Sequence, residues 1–148
     1  MSKAAKAAVA QTVKILIGAG KAAPAPPVGP ALGQRGLKTM DFCKAFNSRT
    51  EKFTPGVPIP TKIYVEPNRT FTFVTTLPPA SYLLKQAAGI EKGSGRAGEV
   101  SAGEISVKHI YEIAKIKAAD PAFEQVSLES IARQILGSAR SCGITVVY

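Results

Sequence analysis

The sequence predicts an α+β fold: a small N-terminal α+β domain with a three-stranded sheet, residues 1–76, then a mostly helical C-terminal domain, residues 77–148. Three observations carry this. Alternation of apolar residues with period two is confined to the first half, apart from a last strand-like run from Ile144 to Val147. Apolar residues spaced three and four apart dominate the second half, and Thr76-Leu77-Pro78-Pro79 breaks the chain between the two. A hydrophobic share of 45% with 20% charged residues belongs to a chain that folds, so each half is expected to build a core.

Val13, Ile15 and Ile17 alternate with Thr12, Lys14 and Leu16, which predicts a half-buried strand ending at Gly18 to Gly20. The prolines at 24, 26, 27 and 30 exclude regular helix and sheet and predict a stiff, extended loop. Thr39 is placed to cap a helix that carries Met40, Cys43 and Phe46 on one side and closes near Asn47. Ile63 and Val65, then Phe71, Phe73 and Thr75, alternate about the turn signal Pro67-Asn68, which predicts a hairpin. After the break, a helix from Pro79 to Ala88 should stop at Gly89. Residues 89–103 hold five glycines and no apolar period, so this stretch reads as a mobile loop, with order resuming at Ser106. Val107, Ile110, Tyr111 and Ala114 mark the inner face of the next helix, which should end before Pro121, and Ser127 caps the last one.

Lys and Arg number 19 against 10 Asp and Glu, a net charge of +9, which points to a polyanionic partner. The excess is uneven. Residues 1–76 hold 11 basic and 3 acidic residues, hence +8, while residues 77–148 hold 8 and 7, hence +1. No apolar run reaches the roughly 18 residues of a spanning helix. The N-terminal arm, with Lys3, Lys6, Lys14 and Lys21, offers mostly Ala opposite its cations, so RNA or solvent suits it better than a membrane surface. Its lack of Arg and its direct run into a strand favour a basic arm over a transit peptide. Cys43 and Cys142 are solitary and read as reduced core thiols. His109, the single histidine, has no evident partner, so neither a zinc site nor a histidine-based triad can be assembled; no catalytic residue, metal or cofactor is expected.

The most informative element is the helix from about Ser127 to Cys142. At about 100° per residue its apolar side chains, Leu128, Ile131, Ala132, Ile135, Ala139 and Cys142, fall within one arc that must face the core. The opposite face carries Arg133, Gly137, Arg140 and Ser141. Gly in a helix interior costs roughly 1 kcal/mol relative to Ala, so Gly137 needs a reason. Either another protein helix packs closely there, or a nucleic-acid backbone does, with Arg on phosphate and Ser on a 2′-hydroxyl. The residues alone leave both open. The loop Gly93-Ser94-Gly95-Arg96-Ala97-Gly98 matches the dinucleotide fingerprint G-x-G-x-x-G, which keeps a nucleotide-binding enzyme as the rival reading. It lacks the preceding strand and following helix that the fingerprint needs.

Pro-Ala-Pro-Pro-Val-Gly-Pro-Ala-Leu-Gly-Gln at 24–34 and Asp-Phe-Cys-Lys-Ala-Phe-Asn at 41–47 resemble the family of large-subunit ribosomal protein eleven. The resemblance continues through Arg-Thr-Phe-Thr-Phe-Val at 69–74, Pro78-Pro79, Ala-Ala-Gly-Ile at 87–90, Gly93 to Gly95, Glu-Ile-Ala at 112–114, Lys-Ala-Ala-Asp at 117–120 and Gly137 to Gly143. It implies a structural, non-enzymatic ribosomal protein whose C-terminal domain binds large-subunit ribosomal RNA at the GTPase-associated centre, the stalk base. Its N-terminal domain would be mobile and face translation factors. Carried over by motif, Pro78, Pro79, Gly93, Ser94, Gly95, Arg96, Gly137, Ser138, Arg140 and Ser141 would face the RNA, joined by Arg133 from the helix reading. Pro24, Pro26 and Pro27 would line a cleft for factors and thiazole antibiotics, and Lys44 matches a methylation site of bacterial relatives. The implied partners are large-subunit ribosomal RNA, stalk ribosomal proteins and, transiently, translational GTPases, with no membrane and no DNA. The run from Val107 to Lys117 is closer to fungal mitochondrial members, so the expected location is the ribosome of the mitochondrial matrix, with the bacterial cytoplasm as alternative. Glu91, Glu99 and Glu104 depart from the bacterial pattern in or beside the loop. With a net +1, this domain should rely less on counterion release and more on shape and hydrogen bonding.

Overall fold

A computed structural model describes residues 11–148, so Lys3 and Lys6 of the basic arm lie outside the described residues. The chain forms two compact units, one running to Thr75 and the other from Thr76 to Tyr148.

In the first unit β1 (Gln11–Gly18), β2 (Pro58–Val65) and β3 (Phe71–Thr75) form an antiparallel sheet in that order, with Val13 opposite Ile63 and Ile17 opposite Ile59. The strand period turns Val13, Ile17, Ile59 and Ile63 to one buried face. Helix α2 (Thr39–Arg49) supplies Phe42, Cys43 and Phe46 to the same core; the Phe42 ring lies 5.9 Å from Phe46 and 5.4 Å from Phe73. Burial pushes the Cys43 thiol above its ordinary pKa, which keeps it protonated and unreactive at neutral pH.

Three expectations for this unit need correction. The proline-rich stretch ends in a short helix, α1 (Val28–Gly33), which includes Pro30. A proline fits the first turn of a helix because the missing N–H has no intrahelical acceptor there. Thr39 does not cap α2 but begins it; Lys38 occupies the cap position without a side-chain cap bond. Met40 is 55% exposed, its place in the core being taken by Phe42.

The second unit comprises α3 (Ala80–Ala88), β4 (Gly103–Ser106), α4 (Val107–Ala118), a 3-10 turn (Pro121–Phe123), α5 (Leu128–Ser141) and β5 (Ile144–Val147). Its core gathers Leu84, Ile105, Ile110, Ile131, Ile135 and Ile144. Gly89 adopts φ +67° at the end of α3, where its N–H bonds to the Gln86 carbonyl, a left-handed C-cap. Strand β4 pairs in parallel with β5, where sequence periodicity gave only the last strand. The stretch before it is not a free loop: Ser94 N–H donates to the Cys142 carbonyl at 3.0 Å and Ala102 N–H to the Gly143 carbonyl at 2.8 Å. Val107 and Tyr111 are 40% and 47% exposed rather than core, with Ile113 taking the inner position on α4. His109 does have a partner. Its Nδ1 accepts the Ser106 N–H at 3.2 Å and closes a capping box at the start of α4, so the histidine is structural.

Ser127 caps α5 as the sequence predicts, its Oγ accepting the Ser130 N–H at 3.3 Å. Ser127→Ala should therefore destabilise the second unit by about 1 kcal/mol, read as a lower midpoint in urea unfolding at unchanged slope. An unchanged midpoint would mean that solvent satisfies the helix end equally well.

Candidate nucleic-acid interface

Helix α5 divides by face as its periodicity requires. Ile131, Ile135 and Ala139 are buried, whereas Arg133, Gly137, Arg140 and Ser141 are exposed. The exposed face forms one wall of a groove of about 600 Å³, closed by residues 98–101 and by β5. Arg133, Gly137 and Arg140 line it together with Ser101, Leu136 and Thr145. A Cβ built on Gly137 would meet nothing within 4 Å, so no protein helix of this unit uses the bare backbone there. Within the unit, the packing account of Gly137 is removed. Close approach from outside remains.

The cations differ in how freely they can act. Arg133 is held at 2.5 Å by Glu129 one helical turn earlier, both side chains being largely exposed, so water screens the pair and an incoming anion can compete for the guanidinium. The Arg140 guanidinium has no hydrogen-bond or ion-pair partner among the described residues, its backbone carbonyl accepting from Gly143 N–H at 3.1 Å. The serine hydroxyls are already oriented: Ser138 Oγ donates to the Gln134 carbonyl at 2.9 Å and Ser141 Oγ to the Ser138 carbonyl at 2.8 Å. With their protons committed to the helix, both oxygens are left as acceptors, the role that a 2′-hydroxyl donor complements.

The glycine-rich loop separates into two functions. Gly93 sits where a Cβ would lie 2.8 Å from the Cys142 carbonyl oxygen, and a Cβ on Gly143 would lie 2.3 Å from that of Ser94. Gly93 and Ser94 thus lock the loop against the end of α5, and Ser94 Oγ also accepts the Arg96 N–H at 3.1 Å. Gly95 and Arg96 are exposed, with open space around Gly95. The dinucleotide fingerprint finds no support, since helix α3 rather than a strand precedes the loop and β4 rather than a helix follows it. Pro78 and Pro79 are not brought to the groove. Pro78 is buried, and its carbonyl accepts from Lys117 Nζ at 3.4 Å, a lysine also paired at 3.5 Å with buried Asp120. Pro79 is half-buried at the start of α3.

In the first unit Pro24, Pro26 and Pro27 are exposed on one loop, with a cis bond between Pro26 and Pro27. Gly29 allows that loop to fold back, since a Cβ there would lie 2.7 Å from the Pro24 carbonyl oxygen. The Asn47 side chain ties the loop's root to α2 by accepting the Ala22 N–H at 3.0 Å. Lys44 is exposed on α2. Leu136, Ser101 and Thr145 are groove residues that sequence reasoning missed; Ser101 and Thr145 share a hydroxyl contact of 2.8 Å across 44 residues, which no local pattern signals. Among the described residues there is no cluster of metal-ligating side chains and no helix long and apolar enough to cross a membrane.

Two α+β units, one with a groove floored by bare helix backbone between guanidinium groups, give this chain the form of a nucleic-acid-binding protein. Its family follows from comparison with known proteins. The family described as "Ribosomal protein L11, RNA binding domain" matches residues 76–146, and "Ribosomal protein L11, N-terminal domain" matches residues 13–71. The chain is also 49% identical over 135 residues, 91% of its length and 94% of the relative's, to the large ribosomal subunit protein uL11m of Schizosaccharomyces pombe. The chain belongs to the ribosomal protein L11 family.

Proposed function

We propose that this chain is a structural constituent of the large subunit of the mitochondrial ribosome and that it clamps large-subunit ribosomal RNA at the stalk base without catalysing a reaction. The observation that carries the RNA contact is the open backbone at Gly137 between Arg133 and Arg140. The mitochondrial setting draws on the relative named uL11m. In this reading, residues 77–148 bind the RNA. Arg133 and Arg140 meet phosphates, Ser138 and Ser141 accept from riboses, and Gly95 and Arg96 add a contact from the loop. Gly93, Ser94, Pro78 and Pro79 shape the binding unit as much as they touch RNA. Residues 1–76 present Pro24, Pro26 and Pro27 to translational GTPases and to thiazole antibiotics, stalk ribosomal proteins are further neighbours, and Lys44 is an accessible methylation site.

Binding of the full chain to an isolated stalk-base RNA fragment across a salt series tests this. Arg140→Ala should weaken binding severalfold at low salt and make the slope of log K against log salt shallower by about 1, because one phosphate contact and its released counterions are lost. Failure of the unsubstituted chain to bind even at low salt would overturn the proposal.

A further inference from the structure

Beside the RNA groove lies a second, smaller cavity of about 160 Å³, lined by Val107 and Ile110 of α4, Ala132 and Leu136 of α5, Val146 and Tyr148. The two cavities share Arg133, Leu136, Val146 and Tyr148, so whatever fills the first passes the mouth of the second. Much of this lining is exposed although apolar: Val107 and Leu136 are each 40% exposed and Tyr148 is 101% exposed. These exposed apolar side chains gather around one cavity beside the groove instead of standing singly.

We propose that this cavity holds one unstacked nucleobase of the RNA bound in the adjoining groove, a proposal that rests on the RNA reading above. Three features select a base. The cavity has the size of one ring system, since an apolar cavity of about 150 Å³ accommodates benzene. Its charged members, Glu129 and Arg133, are one of each sign and lie 2.5 Å apart, so the cavity carries no net charge of its own. A phosphate placed deep in the cavity would meet the Glu129 carboxylate, whereas an uncharged ring meets no penalty. Tyr148 and the Arg133 guanidinium also supply the planar faces on which single-stranded bases stack in proteins that recognise loops and bulges. Arg133 would then serve both cavities, binding a phosphate on one side and covering a base on the other.

The test uses the full chain, the stalk-base RNA fragment and two variants that leave the buried core alone: Tyr148→Ala, which removes a stacking face, and Val107→Phe, which fills the cavity. Each should weaken RNA binding at least fivefold, the loss expected for one stacked base, with the salt slope unchanged because no phosphate contact is lost. Unpaired adenines replaced one at a time by 2-aminopurine should yield one position whose fluorescence changes on binding to the unsubstituted protein and not to either variant. Wild-type affinity in both variants, while Arg140→Ala still binds more weakly, would sink the base proposal and leave the RNA reading standing; that is the outcome if a protein neighbour fills the cavity. A loss accompanied by a shallower salt slope would also overturn it. No RNA binding by the unsubstituted chain would remove both.

Discussion

Gly143→Ala is expected to destabilise the second unit by about 2–5 kcal/mol and to abolish measurable RNA binding under conditions where the unsubstituted chain binds. Two independent costs add. Gly143 has φ +73°, a left-handed conformation that costs a residue bearing Cβ about 1–2 kcal/mol. The new Cβ would lie 2.3 Å from the Ser94 Cβ, so the loop must retreat, and overpacking of this kind costs about 1–3 kcal/mol. Retreat has a functional consequence. The loop is pinned at Ser94 and Ala102 to the carbonyls of Cys142 and Gly143, and residues 98–101 form a wall of the groove proposed to hold RNA. Urea unfolding and RNA titration measure the two effects. The double substitution Ser94→Gly/Gly143→Ala separates the costs. It removes the colliding atom but not the backbone strain, so it should recover the steric part only and be less destabilised than the sum of the two single substitutions, a direct coupling between residues far apart in sequence. Unaltered stability in Gly143→Ala would refute the interlock.

That interlock also shows where sequence reasoning stops. Helix α5 and the β2–β3 hairpin are legible because each writes its buried face into local spacing: Ile131 and Ile135 at helical intervals, Ile63 and Val65 alternating across β2. Strand β4 is not legible. Of Gly103, Glu104, Ile105 and Ser106 only Ile105 is apolar, and the strand exists through its parallel pairing with β5, a contact spanning 41 residues between Gly103 and Ile144. The glycines of the loop likewise look equivalent in sequence. Packing alone distinguishes Gly93, pressed on a carbonyl, from Gly95 in open space. His109 was unreadable for a different reason: it stands where a capping box ordinarily has Glu or Gln, so the pattern that signals a helix start was masked. The exposed face of Arg133, Gly137 and Arg140 is legible because these positions lie opposite the apolar arc, and Gly137 draws the eye because a glycine inside a helix conflicts with local propensity.

The conflict at Gly137 yields a result in which stability and binding move in opposite directions. A Cβ there would meet nothing within 4 Å, so Gly137→Ala should stabilise the second unit by roughly 0.5–1 kcal/mol through helix propensity alone. Gly137→Leu should leave the fold intact for the same reason. Both nevertheless place atoms where, in the proposed function, an RNA backbone approaches. Binding should weaken measurably in the Ala variant and at least tenfold, about 1.4 kcal/mol, in the Leu variant. Urea midpoints and RNA titrations on the same preparations decide it. A purely structural role for Gly137 predicts the reverse, destabilised variants with unchanged affinity in whatever fraction remains folded. Higher stability combined with wild-type affinity would mean that the backbone of α5 is not approached closely, and the phosphate contacts of Arg133 and Arg140 would then have to be made at the reach of their side chains, with the groove between them filled by water.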